Sequence, residues 1–141
     1  MNPILFLSLF AFVALFLTGV RRVPAQRAAT LRRMGRYRRT LGEGWHWALP
    51  GIDRAGPEVA LIGHHLHVRH TGSAEEAELH FQITDPEKAG ETLERVHAWL
   101  AEQTRDTLSQ ADHSAEQLKG ELNRRIGHLG LRIVRCSLRG A

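Results

Sequence analysis

Pro3 to Val20 form an apolar run relieved only by Ser8, Thr18 and Gly19, and the run carries no charge. As an α-helix, eighteen residues would extend about 27 Å at ~1.5 Å per residue. That approaches the ~30 Å hydrocarbon core of a bilayer. A helix apolar on every face needs cover all round, and a chain of 141 residues has little interior in which to hide one. Residues 1–20 are therefore expected to be a transmembrane anchor, with Ile4, Leu5, Phe6, Leu9, Phe10, Phe12, Val13, Leu15, Phe16 and Leu17 facing lipid. One alternative is a cleaved signal peptide. Against it, no lysine or arginine precedes the run and no small-x-small cleavage site precedes Arg21. Another is a buried helix of a soluble domain.

The charge that follows is as uneven as the hydropathy. The net charge is +4, yet residues 21–39 hold eight arginines and no acid, and the chain beyond residue 39 has eleven basic and fifteen acidic residues, a balance of −4. A basic stripe directly after an apolar run is a membrane-topology signal more often than a nucleic-acid surface. Arg21, Arg22, Arg27, Arg32 and Arg33 are expected to contact anionic headgroups, each adding about 1 kcal/mol near the surface. Positive charge held inside gives a single-pass topology with the domain on the cytoplasmic side. No nucleic-acid partner is expected.

Arg36 to Arg54 reads RYRRTLGEGWHWALPGIDR. Gly42-Glu43-Gly44 and Pro50-Gly51 are turn signals. Between them Trp45, Trp47 and Leu49 fall at period two, on one face of a short strand, with His46 and Ala48 on the other. Trp45 and Trp47 either dip into a membrane interface, where indoles are favoured, or belong to a core strand.

With Val23-Pro24 before it and ITDPEKA, residues 83–89, after it, this stretch resembles the stomatin branch of the SPFH or band-7 family, which also includes prohibitins and flotillins. The matching positions are Gly35, Tyr37, Arg39, Thr40, Leu41, Gly44, His46, Pro50, Ile52, Asp53 and Arg54, then Thr84, Asp85, Pro86, Lys88 and Ala89. The resemblance covers nearly everything after residue 20. It implies an α+β SPFH domain over residues 23–141, with residues 21–39 as an arginine-rich juxtamembrane segment and first strand. It also implies self-association into rings and control of nearby membrane proteins or proteases. Two departures stand out. The region between Arg54 and ITDPEKA is shorter than in typical relatives, and the alanine- and glutamate-rich coiled coil that follows the last strand in relatives is missing where this sequence stops.

The rest of the chain has ordinary local signals. Ala25 to Met34 favours helix by propensity, but a strand is expected, since sheet pairing overrides weak propensity. Glu58–Ile62 and His65–Arg69 read as strands about Gly63. Ala77, Leu79, Phe81 and Ile83 alternate with polar residues, the cleanest strand of the chain. Asp85 and Pro86 then suit the N-cap and first position of a helix running to Gln110. Its stripe is Ala89, Leu93, Val96, Leu100 and Leu108, with Trp99 at the core edge. Ser114 and Gln117 form a capping box for a second helix that buries Ala115, Leu118, Leu122, Ile126 and Leu129. Gly130 ends it. Leu131–Leu138 is the last strand, with Val134, Cys136 and Leu138 on one face.

No enzyme is expected. No serine lies in a nucleophile-elbow context, there is no phosphate-cradling glycine loop, and no cofactor is implied. Cys136 reads as a small core residue, and a single cysteine excludes an internal disulfide. His64, His65, His67 and His70 invite a metal, and His65 with His67 would share a strand face. No carboxylate or cysteine is interleaved with them, so no metal site is expected. The leading expectation is a membrane-anchored stomatin-like scaffold, a homo-oligomer or a hetero-oligomer with full-length relatives, whose expected partners are membrane lipid and a membrane protease that it regulates. The alternatives are a soluble or secreted binding module freed of residues 1–20, and a metal-binding protein using the His64–His70 cluster.

Overall fold

A computed structural model describes residues 3–69, 76–110 and 114–139. Its architecture is α+β. Helix α1 (Pro3–Thr18) leads into strands β1 (Val20–Val23), β2 (Arg27–Arg33), β3 (Arg36–Leu41), β4 (Gly44–Trp47), β5 (Asp53–Ala60), β6 (His64–Arg69) and β7 (Glu76–Ile83). Then follow α2 (Pro86–Ala89), α3 (Val96–Gln110), α4 (Ala115–Ile126) and β8 (Leu131–Arg139). The strands form three antiparallel sheets, ordered β1-β4, β3-β2-β5 and β6-β7-β8.

The transmembrane expectation is overturned. Among the described residues no helix is long and apolar enough to cross a membrane. Helix α1 has 16 residues, about 24 Å at ~1.5 Å per residue, and a bilayer core needs ~30 Å. The physical reason is competition for the run's last residues. Gly19 turns the chain, and Val20 is drawn into β1, where it pairs with Trp47. The single-pass topology falls with the span.

Strand β2 settles the conflict between propensity and pairing. It is the central strand of its sheet, with β3 and β5 on its two edges. Ala28, Ala29, Thr30 and Leu31 are all buried there. Small residues suit the site because β2 lies close under the segment Gly90–Arg95. The Thr30 hydroxyl donates to Glu94, and Arg32 donates to the same carboxylate at 3.1 Å. A side chain at Gly56 would strike that pair, its Cβ lying 2.5 Å from both Thr30 Oγ1 and Glu94 Oε1. Gly56-Pro57 oppose Thr30 as a bulge in β5, and an edge strand with a bulge is where a proline is tolerated.

The large core lies between the third sheet and the helices. Leu79, Phe81 and Ile83 of β7 meet Leu93, Val96 and Leu100, and Leu118, Leu122 and Ile126 of α4 close it from the other side. A second, small core holds only Val23, Leu31, Leu41 and Ala48. The helix expected from Pro86 to Gln110 is interrupted. Gly90 takes φ +52° and Gly90–Arg95 tightens into a 3-10 segment. That turn aims Glu94 at β2 while Leu93 stays in the core. Glu91 lies 4.0 Å from Arg32 of β2. The Ser114 and Gln117 capping box forms as expected. In β8 the expected face is altered. Val134 is an extra residue between the pairs Phe81–Ile133 and His80–Arg135, so it bulges outward, while Cys136 and Leu138 pack against the core.

Candidate functional site

The junction of α1 with the first sheet is the most unusual part of the chain. Every described residue of α1 is exposed, and the ten residues expected to face lipid expose between 47% (Val13) and 74% (Ile4 and Phe10) of their surface. Yet the helix is not loosely tethered. Its terminal carbonyls have no helical partners, and at Phe16 the sheet supplies one. Phe16 O accepts from Gly19 N at 3.2 Å and from the Trp47 indole at 3.1 Å. The Trp47 ring stacks on Phe16 at 5.3 Å. Ala48 N donates to Gly19 O at 2.8 Å. Gly19 is required by this packing, because a Cβ there would come 2.5 Å from Ala48 O and 2.6 Å from Trp47 Nε1.

Beside the junction the sheet presents cations and indoles. Arg22 pairs across the ladder with Trp45, its guanidinium carbon 5.6 Å from the ring centroid, a cation–π arrangement. Arg21, Arg22, Trp45 and Trp47 are all exposed. Trp45 and Trp47 do share a face, as period two requires, and it is an outer face rather than a core one. The remaining expected headgroup residues have protein partners. Arg27 meets Glu58 at 3.4 Å, Arg32 meets Glu94 at 3.1 Å and Arg33 meets Asp53 at 2.7 Å.

The motif residues prove to be turn and strand chemistry. Asp53 accepts both Arg33 nitrogens, at 2.7 and 3.1 Å, and Leu49 N at 2.9 Å. The Arg33 hydrogen bonds, then that of Leu49, pull its carboxyl down to about 2. Pro50, Gly51 at φ +79° and Ile52 complete that turn. The His46 ring donates to Gly42 O at 2.8 Å and ties the preceding turn to β4. Tyr37 and Thr40 bond through their hydroxyls at 2.9 Å. Gly35 takes φ +81° in the β2–β3 turn, and Gly44 φ +115° at the start of β4. Leu41 is in the small core, and Arg39 and Arg54 are exposed. Asp85 caps α2, accepting from the backbone N–H of Lys88 and Glu87, and its carboxyl is held below the usual range by Lys88 above all. Pro86 is the first helical residue, and Thr84 bonds Gly130 O at 2.9 Å.

The described histidines pair with neighbours on strands and helix. His70 lies outside the described residues, as do Ser73, Asp112 and His113. Among the described residues no group of three histidine, cysteine or acidic side chains could hold an ion. His65 faces His80 across the ladder and His67 faces Glu78. His64 turns instead to α3. Its Nε2 donates to Ala60 O at 2.6 Å, so its Nδ1 accepts from His97 Nε2 at 2.9 Å. The sequence reading missed His97, whose link to a residue 33 positions away has no local signal. Cys136 is half-buried, and burial pushes its thiol up to about 11, which disfavours the nucleophilic thiolate.

No protein-family model matches the chain, and no curated protein matches it either. The SPFH resemblance therefore stands on the residues alone.

Proposed function

We propose that the chain is a stomatin-like scaffold held at a lipid surface, with α1 embedded in the apolar layer without crossing it. The observation that carries this is the exposed, all-apolar α1 locked onto a sheet that bears Arg21, Arg22, Trp45 and Trp47. Each large apolar side chain is worth ~1.5–3 kcal/mol when removed from water, so ten of them require a cover. Contiguous exposed apolar surface of this kind marks a membrane or protein contact. Cations and indoles at its base favour lipid, since both suit the headgroup layer. The role is non-catalytic: association of copies, or of this chain with longer relatives, near membrane proteins or proteases.

Flotation of the full chain on phosphatidylglycerol vesicles tests this. The chain is expected to rise with the vesicles and to stay bound in high salt, where purely electrostatic attachment is screened. Leu9→Asp with Phe12→Asp should return it to the soluble fraction. A parent chain that stays at the bottom of the gradient, as discrete oligomers whose cross-links run through α1, would replace lipid by self-association as the cover.

A further inference from the structure

Strand β3 contains an irregularity that no turn or core explains. Leu31 pairs with Arg39, but the next residue, Arg32, pairs with Tyr37. Arg38 is thus an extra residue, a β-bulge. In a regular strand neighbouring side chains point to opposite faces, and a bulge breaks that alternation and re-aims a side chain. Here Arg38 and Arg39 both line one cavity of about 230 Å³, with Leu31, Arg33, Trp47 and Asp53 as its other walls.

The charges in this cavity do not cancel. Arg33 is taken by Asp53 in a two-pronged ion pair. Among the described residues Arg39 donates to the Trp47 carbonyl alone, at 3.1 Å. Among the described residues neither Arg38 nor Arg39 has a carboxylate within ion-pairing distance. Three guanidiniums and one carboxylate leave a surplus of two positive charges. We infer that this cavity is a binding site for a phosphate group, held by Arg38 and Arg39 against Trp47. Planar guanidinium forks match phosphate oxygens in pairs. A single carboxylate ligand would leave one of the two charges unmet. Trp47 also braces α1, so a lipid phosphate at the base of α1 and a free phosphate are the two sources of this chemistry.

The test uses the full chain in maltoside micelles, which carry no phosphate. Inorganic phosphate is titrated against chloride at equal ionic strength while the Trp47 indole N–H is followed by NMR. A saturable shift is expected, with affinity lowered about tenfold or more in Arg38→Gln and in Arg39→Gln, partly restored in Arg38→Lys, and unchanged in Arg36→Gln. If only phosphatidylglycerol in galactolipid vesicles elicits the Arg38- and Arg39-dependent shift, the source is the lipid headgroup. Equal, non-saturating shifts in parent and all variants, with phosphate and with the vesicles, would overturn the site. A saturable phosphate response from a chain that fails to float would uphold the site and discard the lipid reading. Flotation on pure galactolipid without any phosphate response would do the reverse.

Discussion

The two halves of this chain are held together by different physics. From β6 onward, a β-sheet and two helices enclose a continuous apolar core, and the buried hydroxyls of Thr104 and Thr107 are satisfied within α3 by Leu100 O and Gln103 O. From β1 to β5, Ala28 and Val59 reach that large core, but the local core is Val23, Leu31, Leu41 and Ala48, and much of the order comes from placed polar contacts. These are the Asp53 turn, the Thr30–Glu94–Arg32 link and the Trp47 brace. A half built on area tolerates surface change and suffers from cavities. A half built on directional contacts leaves side chains such as Arg38, Trp45 and Met34 free to face a ligand or surface. The less-cored half is the one to which the proposed lipid and phosphate contacts belong.

The largest effect is expected in the apolar half. Phe81 is 2% exposed and sits at the centre of the large core. Phe81→Ala should cost about 3–5 kcal/mol, since the cavity cannot collapse between sheet and helices. Leu41→Ala should cost about 2 kcal/mol, the lower end for such a change, because a small core relaxes more easily. Denaturant unfolding read by tryptophan fluorescence measures both. Equal losses would erase the distinction between the halves.

A middle effect isolates the junction. In Gly19→Val the new Cβ meets the Ala48 carbonyl, which is backbone and cannot rotate away. The expected cost is about 1–3 kcal/mol for overpacking. Hydrogen exchange should show β1 and β4 losing protection while β7 and β8 keep theirs. Loss spread evenly over both halves would mean that the brace stabilises the whole domain rather than α1 and its sheet.

The two halves also differed in how much the sequence disclosed. Strand β7, the Asp85 cap and the Ser114 box were readable because period, cap and breaker are local signals. The strand nature of β2 was readable only against its propensity, and the reason lies in two neighbouring strands. The end of α1 was misplaced, because hydropathy counts Val20 as part of the apolar run while Trp47, 27 residues later, claims it for a sheet. The outer face of Trp45 and Trp47 was named as a candidate. The bulge at Arg38 was not, since it depends on a register between strands that no single segment encodes. The tie between His64 and His97 was hidden for the same reason.

That tie gives the smallest prediction and a pH test of the apolar half. His97 lies near the start of α3, and burial first, then the nearby His64 and His65, lowers its pKa below the ordinary 6.5. The folded chain therefore binds fewer protons than the unfolded chain as pH falls below 6.5, and its stability should fall with pH there. His97→Gln should flatten the rise in melting temperature between pH 5 and pH 7, about the window set by an unperturbed imidazole, while leaving the value near pH 8 little changed. An unaltered pH slope in the variant would show that the pair is only a surface contact, and would leave the large core without a titrating link to β6.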